Sequence, residues 1–194
     1  MERRHFLSGA LATAVAGGVR GVISADAVGA ALAGTTSVIN FVAHEDDDLL
    51  FLNPDILTNL AASRYVRTVF LTAGDAGLAS SYWSSREAGS QAGYASMLGG
   101  GGFTQGDAGI PGHPITVYTS QVNPKLSLAY LRLPDGGSAG AGFSRTGFQS
   151  LQRLWQGSIS SITAVDGSSS YTKASLVSAL AALMNQVQAD VVNT

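Results

Sequence analysis

The sequence predicts an α/β domain built on a mostly parallel sheet. Short apolar runs alternate with stretches of helical periodicity along most of the chain, and strands alternating with helices need right-handed crossovers, which make neighbouring strands parallel. The 194 residues are 45% hydrophobic with a mean hydropathy of +0.20, which suits one globular core. No internal repeat and no clear linker divides the chain after its N-terminal segment.

That segment reads as a leader. Arg3-Arg4-His5-Phe6-Leu7 resembles a twin-arginine export signal, an Ala/Gly-rich apolar run follows from Ser8 to Val19, and Ala25-Asp26-Ala27 and Ala31-Leu32-Ala33 have the small-x-small form of cleavage sites. Residues 1–33 are therefore expected to be a signal for export and residues 34–194 the folded domain. Arg20 interrupts the apolar run, and a cytoplasmic chain with an Ala/Gly tail is the alternative. No later stretch is long and apolar enough to span a bilayer.

Val38 to Ala43 is the first strand-like run. Asn53 followed by Pro54 has the form of an N-cap and a proline-tolerant first helical position, with Ile56, Leu57 and Leu60 on the buried face. Val66 to Leu71 is a second strand. Ser84-Ser85-Arg86-Glu87 has capping-box spacing and predicts a helix running to about Leu98. Gly89 and Gly93 weaken that helix by about 1 kcal/mol each relative to Ala, and Gly99 to Gly102 ends it in a Gly-rich loop. Ile115 to Thr119 and Leu126 to Leu133 are further strands, and Pro134-Asp135-Gly136-Gly137 is a turn. Phe148, Leu151, Leu154 and Trp155 have helical spacing, and Asp166 to Ser170 is a loop. Thr172 can cap a last helix whose stripe is Leu176, Val177, Leu180, Leu183, Met184 and Val187. Asp190-Val191-Val192-Asn193 begins one more strand.

Composition excludes several functions. The net charge is −2 and the pI about 5.8, with no basic stripe to neutralise phosphates, so nucleic acid is not expected as a partner. There is no cysteine, hence no disulfide and no thiolate metal site. Gly99 to Gly102 lacks the spacing of a nucleotide phosphate loop and the Lys-Ser/Thr that would follow it. Trp83 and Trp155 read as core or rim aromatics rather than sugar platforms. Oligomeric state is open.

Chemistry concentrates in Ala43-His44-Glu45-Asp46-Asp47-Asp48, directly after the first strand. Only 12% of the chain is charged, yet four acids stand in a row here. A His and an Asp three residues apart at a strand end can reach one divalent cation, and the Asp between them can touch water on it, which is the skeleton of a metal hydrolase site. In open parallel sheets, ligands sit outside the carboxyl ends of the strands. The loop Thr72-Ala73-Gly74-Asp75-Ala76-Gly77 ends the second strand on that side, with Asp75 as a turn cap or a member of the site. An acidic turn ahead of a helix is the competing reading, and a calcium loop would need more oxygen ligands than this run offers.

The acidic segment resembles the Ala-His-Pro-Asp-Asp-Glu signature of the PIG-L (LmbE-like) deacetylases. Leu71 to Gly77, Arg86-Glu87-Ala88 with Leu98-Gly99, and Ala189-Asp190-Val191-Val192-Asn193-Thr194 are similar to further family segments, in the family's order. The resemblance implies a Rossmann-like three-layer fold. It also implies a zinc-dependent hydrolase that removes the N-acetyl group from an N-acetylglucosamine-containing substrate. It makes His44 and Asp47 zinc ligands, Asp46 the general base that deprotonates the metal-bound water, and Arg86, with Asp75, substrate-binding groups. Glu45 stands where the family has proline and Asp48 where it has glutamate. The family's remaining zinc ligand is a histidine in a His-x-Asp-His-like motif after the last aligned strand. The sequence stops at Thr194, so the domain is expected to be C-terminally incomplete and the third ligand missing from it. His113 is the alternative donor within the chain. A non-catalytic sugar- or glycan-binding remnant of the same fold is the alternative function.

Overall fold

The computed structural model describes residues 36–194; the leader expected over residues 1–33 lies outside the described residues. Strand β1 (Ser37–Val42) leads into two short helices, α1 (Asp47–Phe51) and α2 (Asp55–Ala61), and then into β2 (Tyr65–Thr72). The long α3 (Ser80–Met97) is followed by β3 (Phe103–Asp107), β4 (Thr116–Ser120) and β5 (Leu126–Leu133). A 3-10 turn at Ser144–Thr146 and the short α4 (Leu151–Trp155) precede a small hairpin of β6 (Ile162–Thr163) and β7 (Ser170–Tyr171). Helix α5 (Lys173–Val187) and β8 (Val191–Asn193) complete the order.

Six strands form one sheet in the order β3-β4-β5-β2-β1-β8. β1 runs parallel to β2 and β8, and β2 runs parallel to β5, whereas β4 and β3 extend the sheet antiparallel beyond β5. The fold is a mixed α/β fold with a mostly parallel sheet. Residues alternate across it, as the pleat requires. Ile39, Val69, Ala129 and Leu131 pack on one face with Leu176, Ala179 and Leu183 of α5. Phe70, Leu128 and Tyr130 pack on the other with Ile56 and Leu60 of α2 and Tyr94 of α3. Cover on both faces explains why β1, β2 and β5 read as near-continuous apolar runs.

The first and last strands are joined by more than the ladder. The Asp190 carboxylate accepts from the Thr36 amide at 2.8 Å, the Thr36 hydroxyl at 2.9 Å and the Ser37 amide at 3.0 Å. These bonds hold its pKa below the usual carboxylate range, the Thr36 amide being the largest cause.

Several boundaries differ from expectation, each for a local reason. Asn53 does not cap α2: its amide donates to the Leu49 carbonyl at 3.1 Å, closing α1, and α2 begins one residue after Pro54. Leu57 points outward, and Asn59 is buried in its stead. Helix α3 opens at Ser80 rather than Ser84 because Ala79 is extended and the turn before it already releases the chain into the helix. Glu87 therefore lies inside the helix and faces β5, not the helix start. Strand β3 has an exposed, polar, glycine-containing sequence with no apolar alternation to announce it. Thr172 does cap α5, in a reciprocal capping box with Ser175.

Replacing Thr172 with Ala is expected to lower the unfolding free energy by about 1 kcal/mol, read from urea melts. Thr172→Ser should keep most of the stability, since the hydroxyl that accepts from the Ser175 amide is retained.

Candidate active site at the carboxyl ends of the strands

The end of β1 is tied to the end of β2. The Ala43 carbonyl accepts from both the Thr72 amide, at 3.0 Å, and the Thr72 hydroxyl, at 2.8 Å. The chain then turns through the acidic segment into α1. The His44 amide donates to Asp47 Oδ2 at 2.9 Å, and the same oxygen lies 3.4 Å from His44 Nδ1. Asp48 is fully buried and accepts from the Tyr94 hydroxyl at 2.7 Å and the Leu49 amide at 2.9 Å. Burial pushes its pKa up to about 6, against the opposing pull of the Tyr94 bond.

Glu45 is also buried. Arg86 of α3 forks between two acids of the turn: Nε donates to Glu45 Oε2 at 3.0 Å, and Nη2 to Asp46 Oδ1 at 3.0 Å. Burial raises the Glu45 pKa to about 7, with the Arg86 bond opposing. Its other oxygen, Oε1, has no hydrogen-bond partner among the described residues. An orphan oxygen costs less on a protonated carboxyl than on a carboxylate. Gly74 stands against this pair with φ +51°, and a Cβ there would come within 2.7 Å of Arg86 Nε and 2.8 Å of Glu45 Oε2. A side chain there would have to push those two side-chain ends aside and adopt a left-handed backbone, which favours glycine.

A second loop completes the rim. Asp75 is buried, and its two oxygens accept from the Asp135 amide at 2.7 Å and the Gly77 amide at 3.0 Å. It thus builds the junction between the β2 loop and the turn after β5. That junction brings Asp135 Oδ1, which accepts from the Gly137 amide at 2.8 Å, to 3.6 Å from His44 Nε2. The imidazole sits between two carboxylates, Asp47 on Nδ1 and Asp135 on Nε2. Beneath this rim, Arg132 bonds Glu87 through two nitrogens, at 2.6 and 2.8 Å, and Asp166 at 2.7 Å. Adjacent residues of α3, Arg86 and Glu87, therefore anchor the helix to the acidic turn and to β5.

The sequence-derived residues His44, Glu45, Asp46, Asp47 and Arg86 are brought together. Asp75 joins them as a buried turn-builder. Asp135, which the sequence presents as a turn residue, also belongs here; its place two residues after β5, on the same side of the sheet as His44, is the signal for it. His113 is elsewhere, stacked on Tyr171 with ring centroids 4.5 Å apart, its Nδ1 3.1 Å from the Ser169 hydroxyl.

Zinc fixes the spacing of its donors. Two corners of a tetrahedral shell with bonds of about 2.0–2.1 Å stand about 3.3–3.4 Å apart, and His44 Nδ1 and Asp47 Oδ2 are 3.4 Å apart. A carboxylate behind the other ring nitrogen is the usual support of a metal-binding histidine, and Asp135 takes that place. Among the described residues, no group of three or more His, Cys, Asp or Glu side chains is arranged to hold a metal ion. The pair fits two positions of a shell and does not complete it. No family model, no curated protein and no solved structure matches the chain.

Glu45 and Asp48 make stability depend on pH. Both hold a proton more tightly folded than unfolded, about 7 against 4.5 for Glu45 and about 6 against 3.8 for Asp48. Their contribution is fully present below the unfolded values and is lost as pH rises through the folded ones. Glu45→Gln is expected to flatten the decline between about pH 5 and pH 7.5, by on the order of 2 kcal/mol, in urea melts run across that range.

Proposed function

We propose that the chain carries the site of a PIG-L-type deacetylase: zinc-dependent hydrolysis of the N-acetyl group of an N-acetylglucosamine-containing substrate. The observation that supports this reading best is the pairing of His44 Nδ1 with Asp47 Oδ2 at a metal-sharing distance, at the carboxyl end of a parallel strand. His44 and Asp47 would hold the ion, with further donors from outside the described residues. Zinc in such a site supplies Lewis acidity toward the acetamide carbonyl.

The remaining work falls to the chain's own groups. Asp46 is half open to solvent, and one of its oxygens is held by Arg86. A carboxylate fixed at one oxygen and open at the other can take a proton from an attacking water and pass one to the departing amine. In this reading Arg86 sets the Asp46 carboxylate, and contacts the sugar only through donors that Glu45 and Asp46 leave free. In the same reading Asp135, 3.6 Å from His44 Nε2, supports the ring electrostatically from the side away from Asp47.

A second reading is a glycan-binding remnant without catalysis, which needs no third metal donor beside His44 and Asp47, and none stands there among the described residues.

Calorimetric titration with zinc, paired with an assay for acetate release from N-acetylglucosamine-containing substrates, separates the two. The deacetylase reading expects one-to-one zinc binding that His44→Ala and Asp47→Asn abolish. It also expects Asp46→Asn to keep the zinc and lose about 10²-fold or more in turnover. Glycan binding that survives a chelator and Asp46→Asn, with no acetate released, would establish the remnant instead.

A further inference from the structure

The opposite end of the sheet, where β2 and β5 begin rather than end, holds a polar cavity. It has a volume of about 380 Å³, and Arg67, Lys125, Tyr65, Thr119 and Ser127 are among its lining residues. No aspartate or glutamate lines it. Arg67 rises from β2 into the space beneath the last turn of α5. Its Nε donates to the Ser127 hydroxyl at 2.9 Å and its Nη1 to the Gln186 side-chain carbonyl at 2.8 Å. Lys125 donates to the Ser63 carbonyl at 2.8 Å and lies 5.3 Å from the centre of the Tyr65 ring.

Every one of those partners is neutral. Among the described residues, the ion pairs belong to His44, Arg86 and Arg132, and neither Arg67 nor Lys125 enters one. A cation drawn partly out of water without a counter-ion is costly, and here two share one cavity in a chain whose net charge is −2. The carboxyl end of α5, with its partial negative charge, offsets part of one of them. Arg67 also lines an adjoining groove that holds Asp107, whose carboxylate accepts from the amides of Gly109 and Ile115, at 2.6 and 3.0 Å. At the same end of the sheet the Asp190 carboxylate is taken up by Thr36 and Ser37.

A guanidinium has five N–H donors and an ammonium three. The bonds above use two of the first and one of the second, so five donors remain for a ligand. Two positive charges with that many donors match a dianion with several acceptor oxygens better than a single carboxylate. The volume exceeds what a bare oxyanion fills and falls in the range of small-molecule sites, and Pro124 and Val187 give the cavity an apolar side. We propose that this cavity binds the phosphoryl group of a small phosphorylated molecule, at a site separate from the His44 turn.

The test is a titration of the isotope-labelled protein with glucose 6-phosphate, inorganic phosphate and unphosphorylated glucose at constant ionic strength, followed by amide chemical shifts. Saturable shifts at Tyr65–Arg67 and Lys125–Ser127 are expected with the phosphorylated probe and not with glucose. Lys125→Gln should raise the Kd by about ten-fold or more, the effect of losing one charge-assisted contact, and Arg67→Gln more. His44→Ala should leave the Kd unchanged, which keeps this result independent of the deacetylase reading. Tighter binding of the sugar phosphate than of inorganic phosphate is expected, and equal binding would overturn the assignment to a phosphorylated small molecule in favour of a free-anion site. Should Arg67→Gln fail to fold, the Lys125→Gln titration still decides the matter. Absence of saturable shifts at those residues, or an unchanged Kd in Lys125→Gln, overturns the proposal.

Discussion

The arrangement at the carboxyl ends of the strands depends on one buried hydrogen bond, from the Tyr94 hydroxyl to the Asp48 carboxylate. Asp48 has no solvent to fall back on, and a carboxyl group in that position must be paired or expelled. The tyrosine oxygen is shared with the Thr68 hydroxyl at 2.6 Å, which in turn accepts from the Asn40 amide at 3.1 Å. Asn193 donates to Asn40 from the far side at 2.9 Å. A line of polar groups thus crosses the core from β8 through β1 and β2 to α3 and ends on the acidic turn. In a low-dielectric interior, such a chain holds its members in place because each would be costly alone. The orientation of His44, Asp46 and Asp47 follows from where Asp48 is held.

Around that anchor, the acids of the turn divide their labour by exposure. Asp48 and Glu45 go inward, where burial favours their protonated forms, and Asp46 and Asp47 stay at the surface. Arg86 spans the division, with one nitrogen on a buried acid and another on an exposed one. The glutamate at position 45 is what makes this possible. Gly74 leaves room for the fork, because the guanidinium and carboxylate occupy the space that a side chain there would need.

Much of the fold was legible because it rests on local signals. The parallel strands are buried on both faces, so their sequences are apolar throughout, and α5 combines an apolar stripe with a hydroxyl cap. The acidic turn stood out because four acids are conspicuous in a chain so poor in charge. What stayed hidden had no local signature. The edge strand β3 is polar because it packs against little. Glu87 sits at capping-box spacing from Ser84, yet its partner, Arg132, lies 45 positions away. Asp135 reaches His44 only because Asp75, 60 positions earlier, holds its amide. Pairings of that kind are made by the topology of the sheet, and no periodicity in the sequence anticipates them.

The bonds between Asp190 and the start of β1 span 153 or 154 positions. β1 is the first strand of the sheet to be synthesised, and β2, about 28 positions on, can close one of its edges early. The other edge waits for β8, the last element of the order. Contacts so distant in sequence require the loop-closure entropy to be met before they contribute anything, and they slow folding accordingly. A nascent chain would therefore carry an apolar strand with one unsatisfied edge from the synthesis of β1 until β8 is made. The interval before β8 arrives is when this protein is most exposed to pairing with the wrong strand.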